Sequence, residues 1–211
     1  MKIGIMGANG KQGSMLAAEA KKRGHFVTAF VRESKNTPTG VDKTAERDIL
    51  SLSARDVEDL DVLISAVGFG FNSDPTLNRK GIDRLIETGI KSGVRIMVVG
   101  GAGSLYADAT HTKRVYEQDG YPDFLYGISK NMLLGYEDMK NSELKSWCYV
   151  CPSLEFEYER AKTGEYKIGS DEVIYNSDGK SVIGYADYAC AMIDEAENKA
   201  HDKMMITVCE K

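Results

Sequence analysis

This sequence contains few cysteines and histidines, and its acidic residues outnumber its basic residues. Its 211 residues include four cysteines and three histidines. The histidines stand singly, without the close spacing of metal ligands, so we expect no metal site. The net charge of −5 and the pI near 5.3 argue against nucleic acid or an anionic membrane as a partner.

Long apolar runs and targeting signals are also missing. No run approaches the ~20 apolar residues that a membrane-spanning helix requires, and no basic leader with an apolar segment begins the chain. We therefore expect a cytoplasmic protein without a membrane segment. The length suits one domain over residues 1–211, with a full hydrophobic core, as a monomer or a homodimer.

Two of the cysteines, Cys148 and Cys151, form a C-x-x-C pair of the kind found in redox or metal sites. The pair lies within an apolar stretch, residues 147–152, that is typical of a buried strand. Residues three apart on a strand point to opposite faces. We therefore expect the two sulfur atoms to lie apart and the pair to serve packing.

The N-terminal segment carries the strongest functional signal in the chain. A short apolar strand is expected over 2–6, and Gly7, Gly10 and Gly13 separate it from a helix expected over 14–23. This order favours a dinucleotide site, because glycine lets the backbone approach a pyrophosphate at the positive end of the helix. A strand–helix turn without a ligand is the alternative. The candidate cofactor contacts here are Gly7, Asn9, Gly10, Lys11, Gln12 and Gly13.

The end of the second predicted strand, residues 25–31, indicates which dinucleotide is bound. A ribose 2′-hydroxyl usually meets an acidic residue at this place, whereas a 2′-phosphate meets an arginine. Arg32 occupies the position, with Ser34 and Lys35 beside it. We therefore predict NADP(H) in preference to NAD(H). A solvated arginine is the alternative, and Glu33 would present an acid if the register shifted by one residue.

The remainder of the chain alternates apolar strands with helical segments. This order predicts an α/β fold of Rossmann type, a doubly wound parallel sheet, with a dinucleotide-binding core over 1–152 and a small C-terminal lobe over 153–211 on the substrate side. The other predicted elements are strands over 43–49, 61–67, 94–99, 147–151 and 203–208, helices over 51–60, 76–92, 124–140 and 185–197, a hairpin over 163–176, and a functional loop over 107–123.

The ends of these strands supply the remaining candidate contacts, because ligands of such sheets bind beyond the carboxyl ends of the strands. Asp48 and Ile49 are predicted to lie against the adenine, and Gly68 leaves room for the cofactor to cross a strand tip. The full set at these ends is Asp48, Ile49, Ala66, Val67, Gly68, Gly101 and Pro152.

Several motifs together resemble those of the atypical short-chain dehydrogenase/reductases. They are G-A-N-G-K-Q-G at 7–13, V-R at 31–32, V-V-G-G-A-G-S-L at 98–105, Trp147 with P-S at 152–153, R-A-K-T-G at 160–164 and G-Y-A-D-Y at 184–188. More narrowly, the chain is similar to bacterial NAD(P)H-flavin reductases, which resemble biliverdin IXβ reductase and NmrA-type proteins. The resemblance implies a Rossmann fold and NADP(H) or NAD(H) binding at the glycine turn, but it does not specify a substrate.

The same resemblance implies which groups would move a proton. Short-chain dehydrogenases place a serine after the fifth strand and a Tyr-x-x-x-Lys on the next helix, where the lysine lowers the tyrosine pKa from about 10. Ser104 follows the fifth predicted strand, and Tyr126 and Lys130 lie at the start of the helix that comes next. A tyrosine on the helix surface is the alternative for Tyr126. The spacing also occurs at Tyr136/Lys140 and at Tyr158/Lys162.

The expected function is an NADPH-dependent reductase that passes a hydride to a planar acceptor, a flavin or a quinone. Four aromatic residues near the expected cleft favour this class, with ordinary packing as the alternative: Phe69, Phe71, Tyr106 and Phe156. A second hypothesis is a non-catalytic NADP(H)-binding redox sensor of NmrA type. A third and weaker one is an NAD(P)-dependent epimerase or dehydratase that keeps its cofactor bound.

Overall fold

The protein has ten strands and four helices, and the computed structural model describes all residues from 1 to 211. The strands are β1 (Lys2–Met6), β2 (Phe26–Val31), β3 (Lys43–Glu46), β4 (Val62–Ser65), β5 (Arg95–Val99), β6 (Trp147–Pro152), β7 (Glu155–Glu157), β8 (Tyr166–Gly169), β9 (Val182–Gly184) and β10 (Met204–Glu210). The helices are α1 (Lys11–Lys22), α2 (Thr76–Ser92), α3 (Asp123–Lys140) and α4 (Tyr185–Asn198). None of these helices is both long enough and apolar enough to cross a lipid bilayer.

The main sheet has eight strands in the order β3-β2-β1-β4-β5-β6-β10-β8, and β7 pairs with β9 in a small second sheet. All pairs in the main sheet are parallel except β10 with β8. The direction of winding reverses between β1 and β4, which makes this the switch point where sheets of this type bind ligands. The predicted Rossmann-type, doubly wound fold is confirmed.

Each face of the main sheet carries its own hydrophobic core. On one face, Leu16 of α1 and Ile193 of α4 share a core with Ile3 of β1. On the other face, Leu85 of α2 and Met139 of α3 belong to the second core. Because helices cover both faces, β4 is buried along its whole length, as the almost continuous apolar run of a central parallel strand requires.

The C-x-x-C pair is divided between these two cores. Cys148 belongs to the core under α1 and α4, and Cys151 belongs to the core under α2 and α3, so the expected opposite orientation is confirmed. Burial raises the pKa of both thiols well above the ordinary range. Since the thiolate is the form that reacts and binds metals, these two groups are poorly suited to either role.

The predicted helix over 51–60 is wrong. The chain instead forms two single turns of 3₁₀-helix, Ile49–Ser51 and Ala54–Val57. The side chains of Asp48 and Asp56 each accept a hydrogen bond from a backbone amide at 2.9 Å. Because each short turn is satisfied by an aspartate close to it in the chain, the backbone does not continue into an α-helix.

The predicted hairpin over 163–176 is also wrong. Its first half forms β8, which pairs antiparallel with β10. Its second half pairs with the loop after β5, where the Tyr106 amide donates to the Asp171 carbonyl at 2.8 Å and the Val173 amide donates to the Tyr106 carbonyl at 2.9 Å. The distant pairing gives backbone groups of two loops their partners, at the residue that precedes the loop predicted over 107–123.

Side-chain contacts attach the segment around β7 to the rest of the molecule. The amides of Thr163 and Gly164 both donate to the Asp187 carboxylate in α4, at 2.8 Å. The guanidinium of Arg160 donates to both oxygens of Glu210 in β10, at 2.7 Å. Helix α4 covers one face of the main sheet, and strand β10 belongs to that sheet. The division at residue 152 into core and lobe stays a prediction.

Candidate functional site

The glycine turn after β1 lies at the switch point of the main sheet. Gly7 takes a φ of +76°, and its amide donates to the Phe30 carbonyl at 3.1 Å. A Cβ at Gly7 would lie 3.1 Å from the Ala66 carbonyl oxygen, and a Cβ at Gly13 would overlap the Gly7 carbonyl. Position 13 therefore accepts only glycine without a backbone shift, and the start of α1 packs directly on the strand end.

Helix α1 begins at Lys11, earlier than the predicted Ser14, and its N-terminus has no side-chain cap. Gly10 stands at the N-cap position, and the first turn of the helix contains no acidic residue. The first backbone amides of the helix therefore lack protein acceptors, and they carry the positive end of the helix dipole. A phosphate is the kind of group that such a terminus binds.

Gln12 adds a buried acceptor without a partner to the same helix end. Its Nε2 donates to the Tyr185 carbonyl at 3.3 Å, whereas its Oε1 is buried and has no hydrogen-bond partner. An unpaired buried group of this kind costs about 1–3 kcal/mol. A donor on a bound ligand would remove this cost, so the residues around the turn fit a dinucleotide.

A cavity of about 210 Å³ opens between the glycine turn and the ends of β2 and β4. It is smaller than the roughly 300–1,000 Å³ of a complete ligand pocket, so it suits one half of a dinucleotide. Nine predicted residues line it: Gly7, Asn9, Gly10, Arg32, Asp48, Ile49, Ala66, Val67 and Gly68. Five others complete its wall: Met6, Phe30, Val31, Arg47 and Phe69. The predicted residues outside this wall are Lys11, Gln12, Gly13, Ser34, Lys35, Gly101 and Pro152.

Two arginines line this cavity. Arg32 is exposed at the end of β2 and forms no ion pair. Arg47 follows β3 directly, because this strand ends at Glu46 instead of the predicted residue 49. The Arg47 Nε donates to Asp56 Oδ1 at 2.8 Å, and its two terminal nitrogens have no protein acceptor. Burial raises the pKa of Asp56, but hydrogen bonds from Ser53 and Arg47 lower it further, so this carboxylate stays ionised beside Arg47.

The two other predicted phosphate ligands already have partners. The Ser34 hydroxyl donates to the Glu46 carboxylate at 2.5 Å, and the Lys35 ammonium pairs with Glu33 at 2.8 Å. Neither acidic residue lines the cavity. Sequence reasoning missed Arg47, because the third strand was predicted to run to residue 49 and this arginine therefore lay inside it, whereas the strand ends at Glu46.

The predicted proton-transfer residues are not hydrogen-bonded to one another. Ser104 is fully buried; its hydroxyl has no hydrogen-bond partner, and its carbonyl accepts from Arg114 at 2.8 Å. Tyr126 is 46% exposed, and its ring lies edge-on to Tyr116 with centroids 5.4 Å apart. Lys130 is exposed and makes no ion pair. The catalytic roles of these residues stay predictions.

Gly101 and Pro152 lie outside the cavity, at the carboxyl edge of the main sheet, by which we mean the side on which its parallel strands end. Gly101 follows β5, and a Cβ there would approach the Met132 sulfur to 3.4 Å. Pro152 is buried at the end of β6, where it pairs in register with Val208. Both positions are on the side of the switch point toward which a dinucleotide would extend from the cavity.

The four aromatic residues expected near the cleft have different surroundings. The Tyr106 ring is covered on two sides, by a guanidinium at 3.4 Å and an imidazole at 4.2 Å. Phe156 stacks on Tyr185 with ring centroids 3.9 Å apart. Phe69 lines the cavity, whereas Phe71 is largely exposed. Only Phe69 and Phe71 therefore present a ring that is not already stacked on a neighbour.

Comparison with known proteins shows relatives that match nearly the whole chain. The chain is 36% identical over 210 residues to the YwnB protein of Bacillus subtilis strain 168, covering 99% of this chain and 98% of that protein. SP1627 of Streptococcus pneumoniae TIGR4, proposed to be an NADH-flavin reductase, has a similar solved structure, with a TM-score of 0.93, 32% identity and full coverage of both chains. A proposed epimerase of Bacteroides thetaiotaomicron is also similar, with a TM-score of 0.87, 30% identity and coverage of 99% and 96%.

The family assignment agrees with the geometry. Residues 7–198 match the family described as NAD(P)H-binding, and this range begins at the first glycine of the turn. The uncapped start of α1 and the cavity at the switch point are the features that a nicotinamide dinucleotide requires. The chain therefore belongs to the NAD(P)H-binding family, within the atypical short-chain dehydrogenase/reductases.

Proposed function

We propose that the protein is an NADPH-dependent reductase that passes a hydride to a planar acceptor, such as a flavin or a quinone. The observation that carries this proposal is the uncapped start of α1, where the glycine turn opens onto a cavity lined by two arginines. Similarity to SP1627, itself proposed to be an NADH-flavin reductase, supports the reductase class. NADPH, when bound, supplies the hydride from its nicotinamide.

In this proposal the chain holds the dinucleotide at three places. The amides of the glycine turn and of the first turn of α1 bind the pyrophosphate. Asp48 and Ile49, in the wall of the cavity, contact the adenine. Gly68, Gly101 and Pro152 leave space along the carboxyl edge for the nicotinamide half.

The preference for NADP(H) over NAD(H) rests on Arg32 and Arg47. Both line the same cavity, and both keep terminal nitrogens free of protein acceptors. A guanidinium binds a phosphate with paired, charge-assisted hydrogen bonds. With Ser34 and Lys35 engaged by carboxylates, the two arginines are the groups best placed to bind a 2′-phosphate.

Reduction of a quinone or a flavin by two electrons takes up one hydride and one proton. We propose Tyr126 as the proton donor, with Lys130 one helical turn further on, and Ser104 as a hydrogen-bonding group near the nicotinamide. Because Tyr126 is exposed to solvent, water is the competing source of the proton. A lower kcat in Tyr126→Phe, with the KM for NADPH unchanged, would support the tyrosine, whereas an unchanged kcat would assign the proton to water.

The direct test is NADPH oxidation by the purified protein with FMN, FAD and small quinones as acceptors. We expect turnover with at least one of these planar acceptors, and faster turnover with NADPH than with NADH. The matched control is the same mixture without protein, because reduced cofactors react slowly with free flavins. Turnover no greater than this background for every acceptor would rule out the reductase.

A sensor without catalytic activity is the second candidate. The observation in its favour is that Ser104 is buried while Tyr126 and Lys130 lack polar partners. A sensor should bind NADPH and NADP+ with clearly different affinities and should consume neither. Equal affinities together with turnover would exclude it.

An epimerase or dehydratase is the third candidate, supported by the 30% identity to the proposed epimerase. Such an enzyme restores its own cofactor in each cycle, so it would purify with NAD(P) bound. Mass spectrometry of the denatured protein measures this directly, and protein free of nucleotide would exclude this candidate.

A further inference from the structure

Two phenylalanines at the carboxyl edge of the sheet combine high exposure with mutual contact. Phe71 is 67% exposed and Phe124 is 62% exposed, which makes them the two most exposed large apolar residues of the chain. Their rings nevertheless touch, with centroids 5.6 Å apart and planes at 89°. Both rings thus remain in water while they form a defined perpendicular pair.

The pair lies close to the cavity. Gly68 and Phe69 line the cavity, and Phe71 is three residues beyond Gly68, so their Cα atoms are at most about 11 Å apart. Phe124 stands in the first turn of α3, which packs against the turn after β5. A Cβ at Gly127 would approach the Pro75 Cγ to 3.0 Å, which fixes the starts of α2 and α3 beside each other.

The geometry of the pair suits a planar ligand. Two perpendicular rings form a corner in which a third ring can lie flat against the face of one ring and turn its edge to the face of the other. Aromatic rings favour these two arrangements, offset stacking and edge-to-face contact, over direct face-to-face stacking. Tyr106 and Phe156, in contrast, are already stacked within the protein, so a ligand would have to displace their neighbours.

We propose that Phe71 and Phe124 form the acceptor-binding corner of the enzyme and select acceptors with planar, fused aromatic or quinonoid rings. The acceptor then enters between the starts of α2 and α3, and not from the C-terminal lobe that the sequence placed over the substrate side. This inference rests on the proposed reductase function for the nature of the ligand. It assigns to the pair a role in acceptor affinity and none in the binding of NADPH.

The test uses Phe71→Ala, Phe124→Ala and Phe124→Leu, the last of which keeps apolar bulk without the ring. The KM for 2-methyl-1,4-naphthoquinone should rise roughly 2- to 10-fold in each alanine variant, the range for loss of one aromatic contact. The kcat and the affinity for NADPH should stay unchanged. Phe124→Leu should resemble Phe124→Ala, because the ring and not the apolar volume is needed.

A binding experiment separates this inference from the proposed function. Quenching of FMN fluorescence by the protein with NADP+ present reports ring binding without turnover. Weaker FMN binding in both alanine variants, with no NADPH oxidation by the wild-type protein, would support the ring-binding corner and exclude the reductase function. Phe26→Ala is the matched control, since Phe26 is 45% exposed and starts β2 at the opposite edge of the sheet.

Three results would overturn the corner. One is an unchanged KM and unchanged FMN quenching in Phe71→Ala and Phe124→Ala, or equal changes in Phe26→Ala. Another is a wild-type protein that neither binds FMN nor turns over the quinone. The third is a homodimer that these variants convert to monomers in light scattering while ring binding is retained, which would assign the pair to an interface between copies of the chain.

Discussion

Charged groups have different partners at the carboxyl edge of the main sheet and at the amino edge, the side on which its parallel strands begin. At the amino edge, Arg95 is buried and donates to the buried Glu195 carboxylate at 2.7 Å, and Arg23 contacts three carboxylates. At the carboxyl edge, Arg32 has no ion-pair partner, and Arg47 is held by one nitrogen only. These two arginines at the amino edge are paired with carboxylates of the chain, whereas guanidinium nitrogens of Arg32 and Arg47 at the carboxyl edge stay free.

This difference separates stability from binding. Breaking a charge pair inside the protein destabilises the fold, and charges whose nitrogens are mostly paired have little hydrogen-bonding capacity left for a ligand. The free guanidinium nitrogens and the open amides of α1 contribute little to the fold, yet they match an anionic ligand. The unpaired Gln12 Oε1 offers an acceptor to a hydrogen-bond donor on that ligand. Substitutions at the amino edge should therefore change unfolding, and substitutions at the carboxyl edge should change affinity.

The largest effect is expected for Glu195→Ala, which breaks the amino edge. It leaves the Arg95 guanidinium buried without its partner and also removes the acceptor of His201 Nδ1 at 2.8 Å. The free energy of unfolding should fall by about 3–5 kcal/mol, measured by urea denaturation. The affinity for NADPH in the folded protein should not change.

The control is Glu87→Ala, which removes an exposed ion pair with Arg84. An exposed pair of this kind should cost at most about 0.5 kcal/mol. If Glu195→Ala costs no more than this control, or if it weakens NADPH binding as much as it weakens the fold, the two edges do not differ in the way described.

The next effect is expected for Arg32→Ala at the carboxyl edge. Loss of a hydrogen bond to a charged group should weaken NADPH binding by roughly 1.5–3 kcal/mol, or about 10- to 100-fold. NADH has only a hydroxyl at this place and should change much less, and unfolding should not change. Equal weakening of both cofactors would show that Arg32 holds the adenine or the fold, and no change would mean a solvated arginine.

Arg47→Ala should have a smaller effect of the same kind. Its guanidinium shares its charge with Asp56, so we expect a loss of about 0.5–1.5 kcal/mol, or roughly 2- to 12-fold in the Kd of NADPH. Titration of 2′,5′-ADP and of 5′-ADP isolates the 2′-phosphate from the nicotinamide. Arg55→Ala is the control, because Arg55 is exposed nearby but does not line the cavity. A loss of equal size for both nucleotides would contradict the assignment.

The sequence predicted the glycine turn because its requirements are local. Gly7 needs a positive φ and Gly13 needs contact with a carbonyl six residues earlier, so strand, turn and helix can be inferred from one short segment. The fold followed from the same kind of evidence, since each buried strand and amphipathic helix carries its own pattern. The position of Arg32 could be predicted from the end of one strand alone.

Long-range contacts account for what the sequence did not predict. The segment after β8 pairs with Tyr106 because that distant loop offers free backbone groups, and no local pattern marks this choice. Ser104 is buried by the packing of neighbouring elements, and its place after the fifth strand gave no indication of this burial. Arg47 lines the cavity because β3 ends at Glu46 and because its guanidinium donates to the Asp56 carboxylate.

The smallest effect concerns Glu19, which joins the segment between β7 and β8 to the amino edge. Its carboxylate accepts from Arg23, the residue directly after α1, and from Lys162, between β7 and β8, both at 2.9 Å. Burial raises the pKa of Glu19, but the hydrogen bonds and charges of these two cations outweigh burial and lower the pKa from 4.5 to about 2. The ionised group therefore binds its partners more strongly than the protonated group does.

Because the folded-state pKa lies below the unfolded value, Glu19 stabilises the protein above about pH 4.5, and this contribution is lost as the pH falls toward 2. Glu19→Gln removes the titration, so its free energy of unfolding should decline less steeply over this interval than that of the wild type. Urea denaturation at a series of pH values measures both slopes. Glu58→Gln, at an exposed carboxylate without an ion pair, is the matched control. Parallel curves for Glu19→Gln and the wild type would show that the ionisation of Glu19 does not contribute to stability over this interval.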